Sequence, residues 1–555
     1  MTILNNMLFW TCVILCVISV YKMYLSKRLE EIQPREFAIS LRTYRILLVL
    51  AFLTAIFVRM YRFGMVPGGF NQDGAMAAVD AKALSDYGTD RFGMFFPVHL
   101  TAWGYGQMSS LLSYLMIPFI RIFGFSPFAV RLPMLVVSLV GLGCLYGFTC
   151  DVFGKNIGLL VFWFASVNPW HILQSRWALD CNLYSHFFII GIFLLHKALM
   201  GKWKNMYLAA SMIVFGLSMY CYGISIYTMP LFLLAACIYL LVSGKLKIKN
   251  VVFAAAVYLL VAWPFIMVMA INFFRWDTIH TPLFTLPYFS DSIRSNDILF
   301  FSQNILSQLV LNFKSLLRVT ALQTKDLPWN DVQNFGTMYL FSFPFAVAGL
   351  CGLLYEFRKR AGAVLLFLFL CTGIWCGLVT NSVNVNRLNM IYYSIILLAG
   401  IGIYEVIRWM AMPYLKYGIA AAYIVVFVLF GRVYFTTYSN EIGVLFNQDF
   451  GAALSSLKES EAEKFYITVG YQQNVAITEI LTLFWCEIDA EYFQGKTSLD
   501  ELPYKEKYTF DGMRNITIEP SENAVYIITA EELELFDDSL YEFEQFGRYY
   551  RVGKR

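Results

Sequence analysis

Long runs of apolar positions recur along the chain, separated by short polar stretches. The runs lie at 3–21, 44–60, 129–149, 157–169, 182–200, 206–221, 225–243, 250–274, 338–355, 362–380, 388–408 and 416–435. A helix needs about 20 residues to cross some 30 Å of hydrocarbon, and most of these runs approach that length. The pattern predicts a polytopic, all-α membrane protein with about 12 transmembrane helices. Segments 108–123 and 301–321 are ambiguous, fitting either short spans or helices lying on the membrane surface. The first run is followed by Lys22, Lys27 and Arg28, has no basic stretch before it and no small-residue cleavage site after it. It reads as an anchor rather than a removed signal.

Beyond residue 438 the pattern changes. Helical spacing over 450–457 and short β-like runs at 465–469, 524–529 and 541–550 predict a small α/β domain. The expected division is therefore an N-terminal anchor with a basic segment (1–43), a membrane domain (44–438, with a first long loop at 61–128) and a soluble domain (439–555).

Charge sets the orientation. Basic clusters occur at 22–45, at Lys197, Lys202 and Lys204, at Lys245, Lys247 and Lys249, at Arg358, Lys359 and Arg360, and at Arg408 and Lys416. All five can face the cytoplasm together, as the positive-inside rule requires. Loops 61–128, 169–181, 221–224, 275–337 and 381–387 then face outward, with the terminal domain. That domain, over 441–555, holds 22 of the 38 acidic and 10 of the 42 basic residues. An acidic outer domain thus follows a basic membrane part. The expected location is the plasma membrane, with the functional face extracytoplasmic.

Composition agrees. Hydrophobic residues make up 59% and charged residues 14%, against roughly 45–50% and about 25% in soluble proteins. An ordinary soluble enzyme and a disordered chain are excluded. The basic residues sit in short loops, which is not a nucleic-acid footprint. No CxxC, HxxxH or HExxH spacing occurs. Carboxylates can hold Mg²⁺ or Mn²⁺, but no spacing here asserts a metal or any other cofactor.

The unusual chemistry lies in the outward loops. Asp73 stands in GGFNQDGAMAAVDAKAL, where a helix-like run begins, so the helix dipole favours its negative charge. A plain helix cap is the alternative. His171, Arg176 and Asp180 cluster in NPWHILQSRWALDCN, either at a site or as an Arg176–Asp180 pair with aromatic-belt tryptophans. Asn386, Arg387 and Asn389 lie in NSVNVNRLNM, where a guanidinium flanked by amides suits a phosphate. A lipid-headgroup arginine is the alternative. The loop 275–337 adds Arg275, Asp277, His280, Arg294 and Asp297 without a recognisable pattern.

The order of these features resembles the GT-C superfamily of polytopic glycosyltransferases. It is most similar to the bacterial family 39-like proteins, related to protein O-mannosyltransferases and to the lipid A aminoarabinose transferase. The resemblance rests on the acidic first-loop motif, FSPFAVRLPMLVVSLVGL, and NPWHILQSRWALDCNLYSHFFIIGIFLL. It covers about 40–435 and is specific within 64–200. It implies transfer of a hexose or pentose from a polyprenyl-phosphate donor to a hydroxyl of a glycan, lipid or protein acceptor on the outer face, with inversion. Asp73 and Asp180 would be catalytic, and Arg176, His171, Asn386, Arg387 and Asn389 would bind substrate. The family's Asp-Glu signature is here Asp73–Gly74, so the second acid is missing. Arg131 in VRLP matches a recurrent family position and reads as structural. A transporter or flippase of lipid-linked saccharides, and a glycan ligase or polymerase, remain open.

Overall fold

A computed structural model describes residues 1–26, 33–35, 39–103, 106–201, 203–290, 298–324, 326–494 and 503–555. Lys27, Arg28, Lys202, Arg294 and Asp297 lie outside the described residues.

Among the described residues ten helices are long and apolar enough to cross a membrane. They are Thr2–Leu25, Leu41–Met60, Pro127–Phe153, Asp180–Leu199, Ser225–Val242, Ile248–Phe274, Leu340–Phe357, Ala361–Val379, Ile391–Met410 and Leu415–Leu445. Two expected spans are shorter. The 157–169 run folds as Lys155–Val167, 13 residues, because Asn168–Pro169 starts a new helix. The 206–221 run gives Lys204–Ser218, 15 residues. The ambiguous segments become Leu111–Phe123 and Ile305–Thr320, of 13 and 16 residues. The second exposes Leu306, Val310, Leu311 and Phe313 and buries Asn312 and Leu316, the two-sided pattern of an interfacial helix.

The chain forms two compact units. The first comprises Met1–Phe63, Met134–Trp263 and Arg294–Thr436. At its centre Ile391–Met410 is buried along nearly its whole length, while Thr2–Leu25 and Leu41–Met60 are largely exposed, as lipid-facing helices are. Close approach of backbones holds this centre. A Cβ at Gly349 would overlap the Leu398 carbonyl oxygen, and one at Gly402 the Phe345 carbonyl oxygen. Small residues let membrane helices gain packing contact where no hydrophobic drive separates helix from lipid.

The second unit comprises Gly64–Pro133, Pro264–Ile293 and Thr437–Arg555. This grouping differs from the linear division at 438/439, since the first long loop counts with the carboxy-terminal segment. It contains two small antiparallel hairpins, β1 (His99–Thr101) with β2 (Gln107–Ser109) and β3 (Ile279–His280) with β4 (Thr285–Leu286). Five further strands follow: β5 (Lys464–Thr468), β6 (Tyr508–Asp511), β7 (Ala524–Thr529), β8 (Tyr541–Phe546) and β9 (Tyr549–Lys554). Their order is β6-β5-β7-β9-β8, with β6, β5 and β7 parallel and β9 antiparallel to β7 and β8. The expected single run at 541–550 is thus two strands, reversed at Gly547 with φ +57°, where a side chain would be strained. Met513, Tyr526, Ile528, Phe536, Tyr541 and Val552 form the core of the sheet's unit.

Candidate functional site

In the second unit the segment leading to Asp73 is clamped from two sides. Arg131, 1% exposed, donates to the carbonyls of Gly64 (2.9 Å), Pro67 (3.0 Å) and Gly69 (2.7 Å). Its guanidinium lies 5.0 Å from the Phe70 ring. From the other side the Phe70 amide donates to the Phe446 carbonyl at 2.6 Å, and the Phe70 ring stacks on Phe484 at 4.6 Å. Gly69 adopts φ +68°, and a Cβ there would meet the Phe446 carbonyl, so only glycine fits.

The helix that follows is Gln72–Tyr87, ending at Gly88 in the left-handed region. Its cap is Asn71, whose side chain accepts from the Gly74 amide at 3.3 Å. Asp73 is therefore not the cap. It sits half-buried in the first turn, where the helix dipole favours a carboxylate, and its Oδ1 accepts from Trp103 Nε1 at 2.5 Å. Two turns along the same face, buried Asp80 pairs with Arg91 at 2.7 Å and accepts the Arg91 amide at 3.1 Å. Arg91 also donates to the Thr101 carbonyl at 2.8 Å. That carbonyl ends β1, two residues before Trp103, so Asp80 and Arg91 hold the strand whose loop bears the partner of Asp73.

Asp90 closes the turn 90–94 that contains Arg91, its Oδ1 accepting from the amides of Phe92 (3.0 Å) and Met94 (2.9 Å). Burial, and then the neighbouring Asp80 charge, push its carboxyl up to about 7. A raised acid is neutral longer in the folded chain than in the unfolded one. Its stabilising contribution is whole below about pH 4 and lost as pH rises through about 7. Asp90→Asn keeps the accepting oxygen and removes the charge. It should leave the thermal midpoint unchanged below about pH 4 and raise it at pH 8, an effect of at most a few kcal/mol. A scanning melt of the purified protein at the two pH values checks this, and equal midpoints at pH 8 would refute it.

The remaining described candidates lie in the first unit, except Arg275, Asp277 and His280, which fall in the second. Asn168 caps the short helix Pro169–Gln174, and every residue of that helix is buried. His171 is fully buried. Its Nδ1 meets Arg59 Nη2 at 2.9 Å and its Nε2 meets Tyr393 Oη at 2.9 Å. Tyr393 Oη also lies 2.8 Å from His186 Nδ1. Arg59 can only donate, which puts the His171 proton on Nε2 and sends the Tyr393 proton to His186. Burial, reinforced by the charge of Arg59 and by His186, holds His171 well below its ordinary range, so the ring is neutral.

Arg176 is also fully buried. It donates to the carbonyls of Val58 (2.9 Å), Arg59 (2.6 Å), Tyr61 (2.8 Å) and Arg62 (3.3 Å). A cation at the end of Leu41–Met60 satisfies carbonyls that lack helical partners and complements the dipole there. His171 and Arg176, expected to bind substrate, are thus both fully buried. Both point into the protein and tie helices together. The continuous helix needed for an i,i+4 Arg176–Asp180 pair is also interrupted, since one helix ends at Gln174 and the next starts at Asp180.

Asp180 opens Asp180–Leu199, 9% exposed, with Oδ1 accepting the Cys181 amide at 2.7 Å. Asn389 organises this turn. Its Oδ1 accepts from Trp170 Nε1 at 2.9 Å, and its Nδ2 donates to Asn182 Oδ1 at 3.0 Å and to the Cys181 carbonyl at 3.3 Å. It also reaches the Asn386 carbonyl at 3.4 Å. Asn389 is thus buried, with its amide engaged by the turn that follows Asp180. Asn389→Ala should cost about 2–3 kcal/mol, because it strands buried donors and acceptors. A thermal melt beside wild type checks it, and an unchanged midpoint would refute it. Arg387 is half-buried in the one-turn helix Val385–Leu388, whose cap is Asn384. Asp326 holds the start of that turn, accepting from the Val385 amide at 2.7 Å.

The structure thus brings Asp180, Asn386, Arg387 and Asn389 into one neighbourhood of the first unit and places Asp73 in the second. Among the described residues no three His, Cys, Asp or Glu side chains group together as a metal cage. Sequence reasoning missed Trp103, Asp80 and Arg91. Asp80 was detectable, as a carboxylate seven residues from Asp73 on an otherwise apolar helix face. Trp103 had no local signal.

Residues 109–270 match the family model of dolichyl-phosphate-mannose-protein mannosyltransferase. No curated protein matches the chain in sequence. Among solved structures, ArnT from Cupriavidus metallidurans bound to undecaprenyl phosphate aligns with a TM-score of 0.54 at 11% identity, over 92% of this chain and 98% of that one. Its apo form gives 0.53 at 12%, over 92% and 97%. The archaeal oligosaccharyltransferase AglB from Archaeoglobus fulgidus, in complex with an inhibitory peptide and a dolichol-phosphate, gives 0.47 at 12%, over 79% of this chain and 63% of that one. This chain therefore spans less than two thirds of AglB. The chain thus has a fold similar to that of ArnT over nearly its whole length and, across residues 109–270, a segment similar to the dolichyl-phosphate-mannose-protein mannosyltransferase family.

Proposed function

We propose that this protein transfers a sugar from a polyprenyl-phosphate donor to an acceptor hydroxyl at the outer face of the membrane, with inversion at the anomeric carbon. One observation carries the reading. Asp73 is a half-exposed carboxylate in a helix first turn that another residue already caps, and it is held in place by an indole N–H.

The chemistry asks three things of the chain. The acceptor oxygen must lose its proton, the anomeric carbon must carry positive charge briefly, and the departing phosphate must be neutralised. Asp73 takes the acceptor proton. The acceptor oxygen forms its bond to the anomeric carbon as the bond to the phosphate oxygen breaks. Polyprenyl phosphate leaves with the electron pair. A phosphate leaves readily, so little acid assistance is required. Asp180 and Arg387 are the groups the first unit offers for the acceptor and the phosphate. The Trp103 bond holds the Asp73 carboxylate in place, and that carboxylate acts as the base.

ArnT bound to undecaprenyl phosphate supports a lipid-phosphate carrier, and the mannosyltransferase model supports sugar transfer. The test is a panel of polyprenyl-phosphate hexoses and pentoses given to the purified protein with hydroxyl acceptors. Release of polyprenyl phosphate and an inverted linkage by NMR are expected. No release from any donor, or a retained linkage, would overturn the proposal.

A further inference from the structure

The first unit carries a feature that the transfer chemistry does not use. A groove of about 950 Å³ lies between Leu41–Met60 and the helix Leu415–Val433. Its walls are almost wholly apolar and include Leu53, Phe57, Tyr61, Phe427, Val428 and Phe435. Gly431 helps keep it open, since a Cβ there would meet no atom within 4 Å. At one end the walls converge, where Tyr61 stands edge-on to Phe435 at 5.0 Å.

Two arginines stand at that end. Arg62 follows wall residue Tyr61, is exposed, and donates to the carbonyl of Phe435 at 3.4 Å. Arg432 follows wall residue Gly431 and is exposed. Among the described residues neither forms an ion pair. The wall residues 53–61 rise about 13 Å along their helix, close to half of a 30 Å hydrocarbon core. The groove therefore matches one leaflet in depth, with positive charge at headgroup level and aromatic side chains below it.

We propose that this groove is a binding site for an anionic phospholipid of that leaflet, its acyl chains along the apolar walls and its phosphate between Arg62 and Arg432. Bulk lipid covers any exposed membrane helix. A recessed apolar channel ending in two cations without carboxylate partners selects a tail and an anion together. The depth favours an acyl chain over a far longer polyprenyl tail.

The site depends on membrane embedding and not on Asp73, so it can fail while the transfer reading stands, and the reverse. The test is native mass spectrometry of the full-length protein in detergent. It is titrated separately with phosphatidylglycerol, phosphatidylcholine and undecaprenyl phosphate. One retained phosphatidylglycerol is expected, preferred over phosphatidylcholine by about fivefold or more, given the attraction of each basic residue for an anionic lipid. The double variant Arg62→Gln with Arg432→Gln should bring the preference below about twofold. Gly431→Leu, which fills the groove, should lower retention of both phospholipids. The Asp73→Asn protein should behave as wild type. Equal retention of the two phospholipids by wild type, a preference that survives the double variant, or undecaprenyl phosphate displacing phosphatidylglycerol at equal concentration would each overturn the proposal.

Discussion

Asp73→Asn should cut sugar transfer by about 10²–10⁴-fold, the contribution usual for a positioned general base. The substitution isolates charge and basicity from structure. Asparagine fits the same first turn, and its Oδ1 can still accept from Trp103 Nε1, so the bond seen at 2.5 Å has a replacement. The cap is Asn71, so helix Gln72–Tyr87 keeps its start. The loss should fall on kcat, with KM for the donor within a few-fold, because the base acts on the acceptor proton. Asp73→Glu keeps the charge but displaces it by one methylene, and it should retain part of the rate. Membrane insertion is checked by protease resistance of the terminal domain. Transfer within a few-fold of wild type in a correctly inserted Asp73→Asn protein would refute the base assignment.

Arg131→Ala should be as damaging by a different route. Three carbonyls, of Gly64, Pro67 and Gly69, share one buried guanidinium. Removing it leaves acceptors without their donor, and charge-assisted bonds are worth about 1.5–3 kcal/mol each. The loss is local, because those carbonyls belong to the loop that delivers Asp73. We expect new protease cleavage within 64–71 and near-complete loss of transfer, while the membrane helices remain folded by circular dichroism. Arg131→Lys retains the charge and can satisfy one or two of the three carbonyls, so it should recover part of both properties. If Arg131→Ala kept the loop resistant and transfer intact, Arg131 would not be positioning Asp73.

These expectations show what the linear sequence could and could not carry. Helices such as Ile391–Met410 were legible because an apolar run of 20 residues is itself the signal. The runs at 157–169 and 206–221 read as spans because hydropathy ignores helix ends. Asn168–Pro169 stops one helix at Val167, and the other closes at Ser218. The α/β character of the tail was readable from its apolar runs, but Gly547 in the 541–550 stretch was not read as a turn. Strand β6 was missed, since its four residues are all only half-buried.

The site divides the same way. Asp73 stood out as a carboxylate beside two glycines at a helix start. That Asn71, two residues earlier, takes the cap could not be told apart, because either side chain can do it. Arg176 looked like a ligand group because a charge near a membrane interface usually serves something. Its partners are backbone carbonyls more than a hundred residues earlier, and carbonyls leave no trace in residue identity. Asn389 sat in an asparagine-rich loop that suggested phosphate. Its amide is spent on Trp170 and Asn182, contacts visible only after folding.

Transfer at the outer face requires the helix bearing Asp73 to face away from the cytoplasm. The direct measurement places single cysteines at Asp86, exposed on that helix, and at Lys359, exposed in a basic loop. The background lacks the 11 native cysteines, and intact cells are treated with a membrane-impermeant maleimide. Labelling is expected at position 86 in intact cells and at position 359 only after permeabilisation. Labelling at 359 and not at 86 in intact cells would contradict transfer at the outer face.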